Sequence, residues 1–399
     1  MTENQPTQNL GSALAFATER VATPVEAMHR VIAGSWLGPL GAMGAPVRKI
    51  NDTLTTMAYG SVRLGADVVG LGLDELLTVD RGAVDSVQAF VNGLWGDELG
   101  RHEDRLEITM AIPDAGGAPV AIGSDLTATF PTATGHLVVL VHGLVETERC
   151  WSGDETAPGL AEALDRDAGL TPVSIRYNSG LRVSDNGALL SSLLEETRAN
   201  WPVPVRSIAL VGHSMGGLVI RSACEAARIA GHRWIADVDT IVTVAAPHRG
   251  SPLEKLANAA AWGLGFASVT RPLARFVNGR SVGIKDLRFG ATVESDWMGI
   301  DPDALLRNTV DAQPLPAGID HHFVAGAVTS DPTHPVGMAV GDLVVRSASG
   351  TGGRHLKPEN AVVVGGKHHF DLLGDPEVIS DLMGWLAPAT PDSRSQGRG

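Results

Sequence analysis

The chain has 399 residues, of which 44% are hydrophobic and 19% are charged. This composition is typical of a globular protein and excludes a disordered or fibrous one, and the length predicts one large domain with an additional segment. The formal net charge of -14 argues against sequence-independent binding to phosphate backbones, which requires clustered lysine and arginine. We therefore expect no nucleic-acid partner.

The first hundred residues are predicted to form an N-terminal helical extension (1–100), because apolar residues recur at helical spacing from about Val25 to Val91. The start, "MTENQPTQNL", lacks the basic and apolar segments of a secretory signal. The uncharged stretch 31–47 contains two prolines and four glycines, which argues against a membrane-spanning helix of about 20 residues. These features predict a cytoplasmic protein. A peripheral membrane contact is the alternative to a packed appendage.

After Gly135, β-branched runs alternate with helical patterns, and this alternation predicts a mostly parallel central sheet with helices on both faces. We place this α/β domain at 101–387 and a disordered tail at 388–399. The strand-like runs are "HLVVLVHG", "TPVSIRYN", "SIALVGHS", "TIVTVAAPH", "HHFVAGAV" and "NAVVVGGKHH". Functional groups in such sheets lie just past the carboxyl ends of the strands.

One interval, about 251–316, departs from the alternation of strands and helices and includes the uncharged stretch "LANAAAWGLGFASVT". It predicts a helical cap insertion over a site. Its apolar residues suit an acyl chain in a pocket, and we expect Trp262 and Phe266 to bind substrate. The alternative is that they pack the cap onto the sheet.

Ser214 lies in "LVGHSMGGLV", where a predicted strand ends and a predicted helix begins. A Gly-x-Ser-x-Gly sequence at such a turn is typical of a nucleophilic serine, and Gly212 and Gly216 remove side chains that would collide there. We expect the neighbouring His213 to point elsewhere and to act as a packing residue.

A serine nucleophile needs a histidine base and a carboxylate that orients the histidine, and on this kind of sheet the acid precedes the base in the chain. The candidate bases are His368 and His369, which follow the last predicted strand. The candidate acids are Asp331 in "VAGAVTSDPT" and Asp342 in "AVGDLVVRSAS". Spacing alone does not decide within either pair.

The reaction also forms an oxyanion, which backbone N–H groups must stabilise. The predicted donors are Met215, directly after the serine, and Leu144, in the turn after the first central strand. In that turn, His142 and Gly143 are expected to shape the loop. His142 either contributes to substrate binding or makes a structural hydrogen bond.

No cofactor or metal is expected. The adjacent histidine pairs, 321–322 and 368–369, lack the spacing that brings two imidazoles to one metal, and no phosphate-binding loop or dinucleotide fingerprint occurs. Only two cysteines are present, Cys150 and Cys224, and we expect both to be reduced and structural.

The region from about 135 to 386 resembles the α/β-hydrolase superfamily, and within it bacterial lipase-like members related to the PGAP1-like group. The resemblance rests on "LVHGLVETERCW", "RYNSGLRVSDNG", "LVGHSMGGLV", "AAPHRGSPLEK", "GDLVVRSAS" and "HHFDLL". It implies an α/β-hydrolase fold, with Asp342 as acid and His369 as base. Leu343 replaces the glycine that usually follows the acid, which keeps Asp331 in reserve. His248 in "PHRGSP" either lines the pocket or has a structural role.

The expected activity is hydrolysis of a small-molecule or lipid carboxylic ester through an acyl-enzyme on Ser214, with water activated through His369. A thioesterase or an acyltransferase would use the same triad. The alternative of another class is a non-catalytic binding module on a hydrolase fold. The sequence predicts no particular oligomeric state.

Overall fold

The computed structural model describes most of the chain after residue 80. The described residues are 81–101, 107–121, 126–153, 157–166, 169–252, 254–255, 258, 278–301, 303, 310, 313–353 and 356–387. The first 80 residues of the predicted extension, about half of the predicted cap, including 259–277, and the predicted tail lie outside them.

A six-stranded sheet in the order β2-β1-β3-β4-β5-β6 forms the centre of the molecule. Its strands are β1 (His136–Val141), β2 (Thr171–Ile175), β3 (Ser207–His213), β4 (Val238–Val244), β5 (Asp320–Ala327) and β6 (Asn360–Gly365). Every neighbouring pair in the sheet is parallel. All carboxyl ends therefore lie along one edge, and the predicted parallel sheet is confirmed.

Helices cover both faces of this sheet. They are α1 (Arg81–Arg101), α2 (Leu160–Arg166), α3 (Val183–Asn200), α4 (Met215–Ala230), α5 (Val282–Asp286), α6 (Pro335–Val340), α7 (Ser347–Gly350) and α8 (Pro376–Leu386). Helices α3 and α4 contribute to one hydrophobic cluster, and α2 and α8 contribute to the other. None of the helices in the described ranges is long and apolar enough to cross a membrane.

Strand β1 shows why these runs become central strands. Its side chains alternate between the two clusters, with Leu137, Val139 and Val141 on one face and Val138 and Leu140 on the other. All five are almost completely buried. Burying each of them stabilises the fold by about 1.5–3 kcal/mol, so a continuous apolar run is favoured only where both faces are covered.

Helix α1, the described part of the predicted extension, packs against loops of the α/β domain. Ser281 Oγ donates to the Gly93 carbonyl oxygen at 2.6 Å, and Asn178 Nδ2 donates to the Gly96 carbonyl oxygen at 3.1 Å. Trp95, where the helix is kinked, and Leu99 are buried. This end of the extension therefore shares an interface with the domain.

Candidate active site

Ser214 is the single residue between β3 and α4, and its backbone is strained. Its φ of 51° and ψ of -120° are unusual for a residue with a side chain. Its N–H donates to the Val244 carbonyl oxygen at 2.8 Å, which fixes the turn to β4. The residue is 6% exposed. The sequence thus forms the sharp strand-to-helix turn that a nucleophilic serine requires.

The two glycines that flank Ser214 are required by close backbone contacts. A Cβ at Gly216 would lie 2.2 Å from the Val141 carbonyl oxygen, and a Cβ at Gly212 would lie 2.6 Å from the Gly217 nitrogen. Any side chain at either position would displace backbone, so the turn depends on both glycines.

Asp342 and His369 form a buried hydrogen-bonded pair. His369 Nδ1–H donates to Asp342 Oδ2 at 2.8 Å, and the His369 backbone N–H donates to the Asp342 carbonyl oxygen at 3.2 Å. The other carboxylate oxygen, Oδ1, accepts the N–H groups of Val344 and Val345 at 2.9 and 2.7 Å. These contacts hold the Asp342 carboxylate in a single orientation, and they fix the plane of the His369 ring.

The pair also controls the charge of its members. Burial disfavours ionisation of Asp342, but the charge and hydrogen bond of His369 and the two backbone N–H groups outweigh burial and lower the pKa of Asp342. Burial likewise disfavours the charged form of His369, yet the Asp342 charge and hydrogen bond, together with the Glu146 charge, raise the pKa of His369. The imidazolium that forms when a base takes up a proton is therefore stabilised.

The other two candidates have different surroundings. Asp331 is exposed, and its Oδ1 accepts hydrogen bonds from the N–H and hydroxyl of Thr333. The His368 backbone N–H donates to Asp371 Oδ2 at 2.9 Å. The structure therefore brings together Asp342 and His369 and does not pair Asp331 with His368.

Four non-glycine residues in the described ranges have positive φ angles, and all lie near this edge of the sheet. They are Val145 (58°), Ser214 (51°), Ala245 (54°) and Leu343 (83°). Ala245 directly follows β4, and Leu343 directly follows Asp342. Leu343 thus adopts the conformation that its glycine counterpart would adopt without strain. Strained backbone clusters at functional sites, so these angles support a function at this edge.

The loop after β1 lies against the serine. A Cβ at Gly143 would lie 3.0 Å from the Ser214 Cβ. Within the described part of the chain, neither the Leu144 N–H nor the Met215 N–H donates a hydrogen bond. Both donors are thus available, as an oxyanion site requires, and their role remains a prediction.

His142 is completely buried in this loop. Its Nδ1–H donates to the Gly143 carbonyl oxygen at 2.8 Å, its Nε2 accepts from the Tyr177 N–H at 3.4 Å, and its ring stacks on Tyr177. Burial lowers its pKa, which agrees with a neutral ring that donates at one nitrogen and accepts at the other. These contacts are those of the structural alternative, and a substrate contact remains a prediction.

His248 has a similar environment to His142. The His248 Nε2 lies 2.9 Å from Thr243 Oγ1, and its ring stacks on Phe323. Burial lowers its pKa well below the ordinary value. Trp262 and Phe266 lie outside the described residues.

Glu146 is a site residue that was not expected from the sequence. Its Oε2 accepts hydrogen bonds from the Gly143 N–H and from Nδ1–H of His213, the latter at 2.9 Å. His213 is fully buried, as a packing residue would be, but the expectation included no specific partner. The available signal was an acidic residue in a loop after an apolar strand, facing a histidine in the next strand.

The remaining candidate ligands show no metal arrangement. In the described ranges, no three His, Cys, Asp or Glu side chains lie close enough together to hold a metal ion. Cys150 and Cys224 are free thiols, and burial raises the pKa of Cys224 to about 12.

Residues 186–304 match a family model described as the PGAP1-like alpha/beta domain. This segment includes Ser214 and ends before Asp342 and His369. No curated protein sequence matches the chain.

Several solved structures are similar to this chain. Bacillus licheniformis lipase BlEst2 in mature form is 18% identical to this chain, with a TM-score of 0.41. The match covers 62% of this chain and 91% of the lipase chain. Staphylococcus hyicus lipase is 13% identical, with a TM-score of 0.39, covering 64% and 95%. The RedJ thioesterase of Streptomyces coelicolor is 17% identical, with a TM-score of 0.35, covering 64% and 92%. The chain has a parallel six-stranded sheet with helices on both faces, and its segment 186–304 is similar to the PGAP1-like alpha/beta domain.

Proposed function

We propose that the protein is a serine hydrolase that cleaves carboxylic esters through an acyl-enzyme on Ser214. The observation that carries the proposal is the strained turn of Ser214 at the sheet edge that also bears the buried Asp342–His369 pair. The rings of His369 and His213, which directly precedes Ser214, have centroids 4.9 Å apart. This contact supports a base close to the serine.

In the proposed reaction, His369 removes the proton from the Ser214 hydroxyl while Oγ attacks the ester carbonyl carbon. Asp342 stabilises the resulting imidazolium through the Nδ1–H hydrogen bond. The carbonyl oxygen becomes an oxyanion, which accepts hydrogen bonds from the N–H groups of Leu144 and Met215. The carbon–oxygen bond to the leaving alcohol then breaks, and His369 returns the proton to that alcohol.

The acyl-enzyme is resolved by the same groups. Water enters, His369 accepts a proton from it, and the water oxygen attacks the acyl carbon. The bond between that carbon and Ser214 Oγ then breaks, and His369 returns the proton to Oγ, which releases a carboxylic acid and restores the Ser214 hydroxyl. A thioester leaving group or an alcohol acceptor changes only the group that departs or attacks. A thioesterase or an acyltransferase therefore remains the alternative within this mechanism.

We also propose that the segment 251–316 covers this site as a cap and contributes apolar contacts to the acyl group. Its first residue is held on the rest of the domain, because Ser251 Oγ donates to the Val344 carbonyl oxygen at 2.8 Å. The Ser251 N–H donates within the segment, to the Leu287 carbonyl oxygen at 2.7 Å. Val344 lies two residues after Asp342, so the start of the segment is anchored beside the proposed acid.

The test is hydrolysis of p-nitrophenyl esters of short to long acyl chains by the wild type and by Ser214→Ala. We expect turnover to fall by about 10⁴-fold or more, because the triad acts as a unit. Ser192→Ala, an exposed serine on α3, is the matched control and should retain wild-type turnover. Circular dichroism of each variant confirms folding.

The outcomes separate the candidate functions. Full activity of folded Ser214→Ala would contradict the proposal. If the wild type hydrolyses no ester at any chain length, acyl-coenzyme A thioesters are tested next, and serine-dependent turnover there identifies a thioesterase. A folded protein that cleaves neither class favours the binding-module alternative.

A further inference from the structure

A second histidine–carboxylate pair lies beside the proposed triad. Glu146 Oε2 accepts the Nδ1–H of His213 at 2.9 Å and also accepts the Gly143 N–H. The His213 side chain is completely buried, and that of Glu146 is 9% exposed. Burial disfavours the carboxylate, but His213 and the Gly143 N–H outweigh burial and lower the pKa of Glu146.

This pair connects the two chain segments that would bind the oxyanion. Glu146 and Gly143 belong to the loop that also contains Leu144, whereas His213 directly precedes Ser214 and the N–H of Met215. Strands β1 and β3 are neighbours, with Val141 opposite Gly212. The strand pairing ends there, and the Glu146–His213 hydrogen bond joins the two segments beyond it.

The same pair also touches the loop of the proposed base. His213 Nε2 lies 3.4 Å from the His369 carbonyl oxygen, and the two rings are in contact. A single imidazole therefore contacts the loop after β1 through Glu146 and the loop after β6 through His369. Together with its own place before Ser214, it reaches all three segments of the proposed site.

Packing alone does not account for the choice of these residues. A buried carboxylate and imidazole cost desolvation free energy, and well-packed apolar residues of similar size are often as stable or more stable. A hydrogen bond to a carboxylate instead fixes direction and distance, which an oxyanion site needs to within about 0.5 Å.

We infer that Glu146 and His213 are positioning residues that set the separation and direction of the Leu144 and Met215 N–H groups. The inference rests on the proposed function, because it concerns the oxyanion of that reaction. In this role neither side chain needs to contact the substrate, and both are buried. Their loss weakens transition-state stabilisation and leaves substrate binding in the ground state nearly unchanged.

The experiment measures kcat and KM for Glu146→Gln, His213→Gln and the double variant on the best p-nitrophenyl ester. We expect each single change to lower kcat by about 10²-fold, the effect of one misplaced oxyanion donor, with KM within about twofold of wild type. The double variant should be no less active than the more impaired single variant, because all three variants weaken the same charge-assisted contact between positions 146 and 213.

The matched control is Glu162→Gln. Glu162 also accepts two backbone N–H groups of a loop, those of Gly153 and Gly159, at 3.0 and 2.9 Å. The same chemical change there should leave kcat unchanged. An equal loss of kcat in Glu146→Gln and Glu162→Gln would overturn the inference, as would a rise of KM at constant kcat or additive losses in the double variant.

A pH profile gives a readout that a purely structural role would not move. His369 has its pKa lowered by burial and raised by Asp342, and the Glu146 charge raises it further. Glu146→Gln should therefore shift the acid limb of kcat/KM to lower pH.

The other titratable groups that face Glu146 are His213, His142, Cys150 and Tyr177. His213→Gln retains the Glu146 charge and should shift the limb less. Equal profiles in Glu146→Gln and wild type would contradict this role.

Reaction of Ser214 with an ethyl fluorophosphonate probe separates failure of this inference from failure of the proposed function. If the wild type cleaves no ester but is labelled at Ser214, the ester assignment fails, and the labelling rate replaces kcat. Glu146→Gln should then be labelled about 10²-fold more slowly, because the phosphonyl oxygen uses the same donors. A wild type that is not labelled overturns both. If Glu146→Gln does not fold, His213→Gln alone decides by the same criteria.

Discussion

Two buried histidine–carboxylate pairs lie side by side in this molecule, and they differ mainly at the second ring nitrogen. In both pairs Nδ1 donates to a carboxylate, at 2.8 Å for His369 and 2.9 Å for His213. Nε2 of His213 faces the His369 carbonyl oxygen. No residue in the described ranges hydrogen-bonds to Nε2 of His369. In the proposed mechanism, His213 is a positioning residue because both of its ring nitrogens have protein partners, and His369 transfers protons through the nitrogen that has none in the described residues.

The carboxylates differ in a corresponding way. Asp342 takes its additional hydrogen bonds from Val344 and Val345 in its own loop. Glu146 instead takes one from Gly143, whose Cα lies against Ser214. The contacts of Asp342 therefore orient its carboxylate towards His369, whereas Glu146 is hydrogen-bonded to the loop next to Ser214.

The largest effect within this comparison is expected for Asp342→Asn. The amide cannot stabilise the imidazolium, so kcat should fall by roughly 10³–10⁴-fold, as for a triad acid. Asp331→Asn, the same change at an exposed aspartate, should stay within about twofold of wild type. The measurement is kcat on the ester used for the wild type. A crippled Asp331→Asn with an active Asp342→Asn would reverse the assignment of the acid.

A substitution on α1 is expected to have an intermediate effect on kcat. A Cβ at Gly93 would lie 2.5 Å from Cγ1 of Val145, the strained residue next to Glu146. Gly93→Ala should displace this loop relative to Ser214 and lower kcat roughly tenfold, because small displacements of catalytic groups are costly. The readout is kcat, with the Asp342–His369 side expected to be unaffected.

The control for this prediction is Gly82→Ala, the same change in the first turn of α1, which should leave kcat unchanged. Combining Gly93→Ala with Val145→Ala removes the colliding Cγ1 and should recover most of the activity. A double variant as impaired as Gly93→Ala alone would show that α1 acts on the site in another way.

The smallest effect concerns stability and pH. Burial disfavours the Asp342 carboxylate, but its contacts with His369 outweigh burial and lower its pKa below the ordinary value of 3.8. The stability that the ionised carboxylate contributes is therefore lost as pH falls below 3.8. Burial disfavours the charged form of His369, but Asp342 and Glu146 outweigh burial and raise its pKa above 6.5. The stability that the protonated ring contributes is therefore complete below pH 6.5 and is lost as pH rises through the raised pKa. Both contributions are present between pH 3.8 and 6.5.

Thermal unfolding of the wild type and Asp342→Asn across pH 3 to 9 tests this linkage. The difference in Tm should be largest inside that window and should shrink on both sides. A difference that grows steadily towards high pH would contradict the raised pKa of His369.

The sequence alone determined the parts of this protein that depend on neighbouring residues. The run that became β1 is continuously apolar because both faces of the sheet are covered there, and this pattern is visible without coordinates. The turn at Ser214 is likewise encoded locally by Gly212 and Gly216. The departure at Leu343 weakened the family pattern, yet the residue adopts the positive φ that its glycine counterpart would adopt.

Only the tertiary structure decided which side chains meet. Asp342 and His369 are 27 positions apart, and Glu146 and His213 are 67 apart. Whether such residues touch depends on how far each loop extends beyond its strand, and residue spacing does not encode that distance. The packing of α1 against Val145 is of the same kind. Local sequence thus determined the strands and the turn at the serine, whereas contacts between distant loops decided the partners of each histidine.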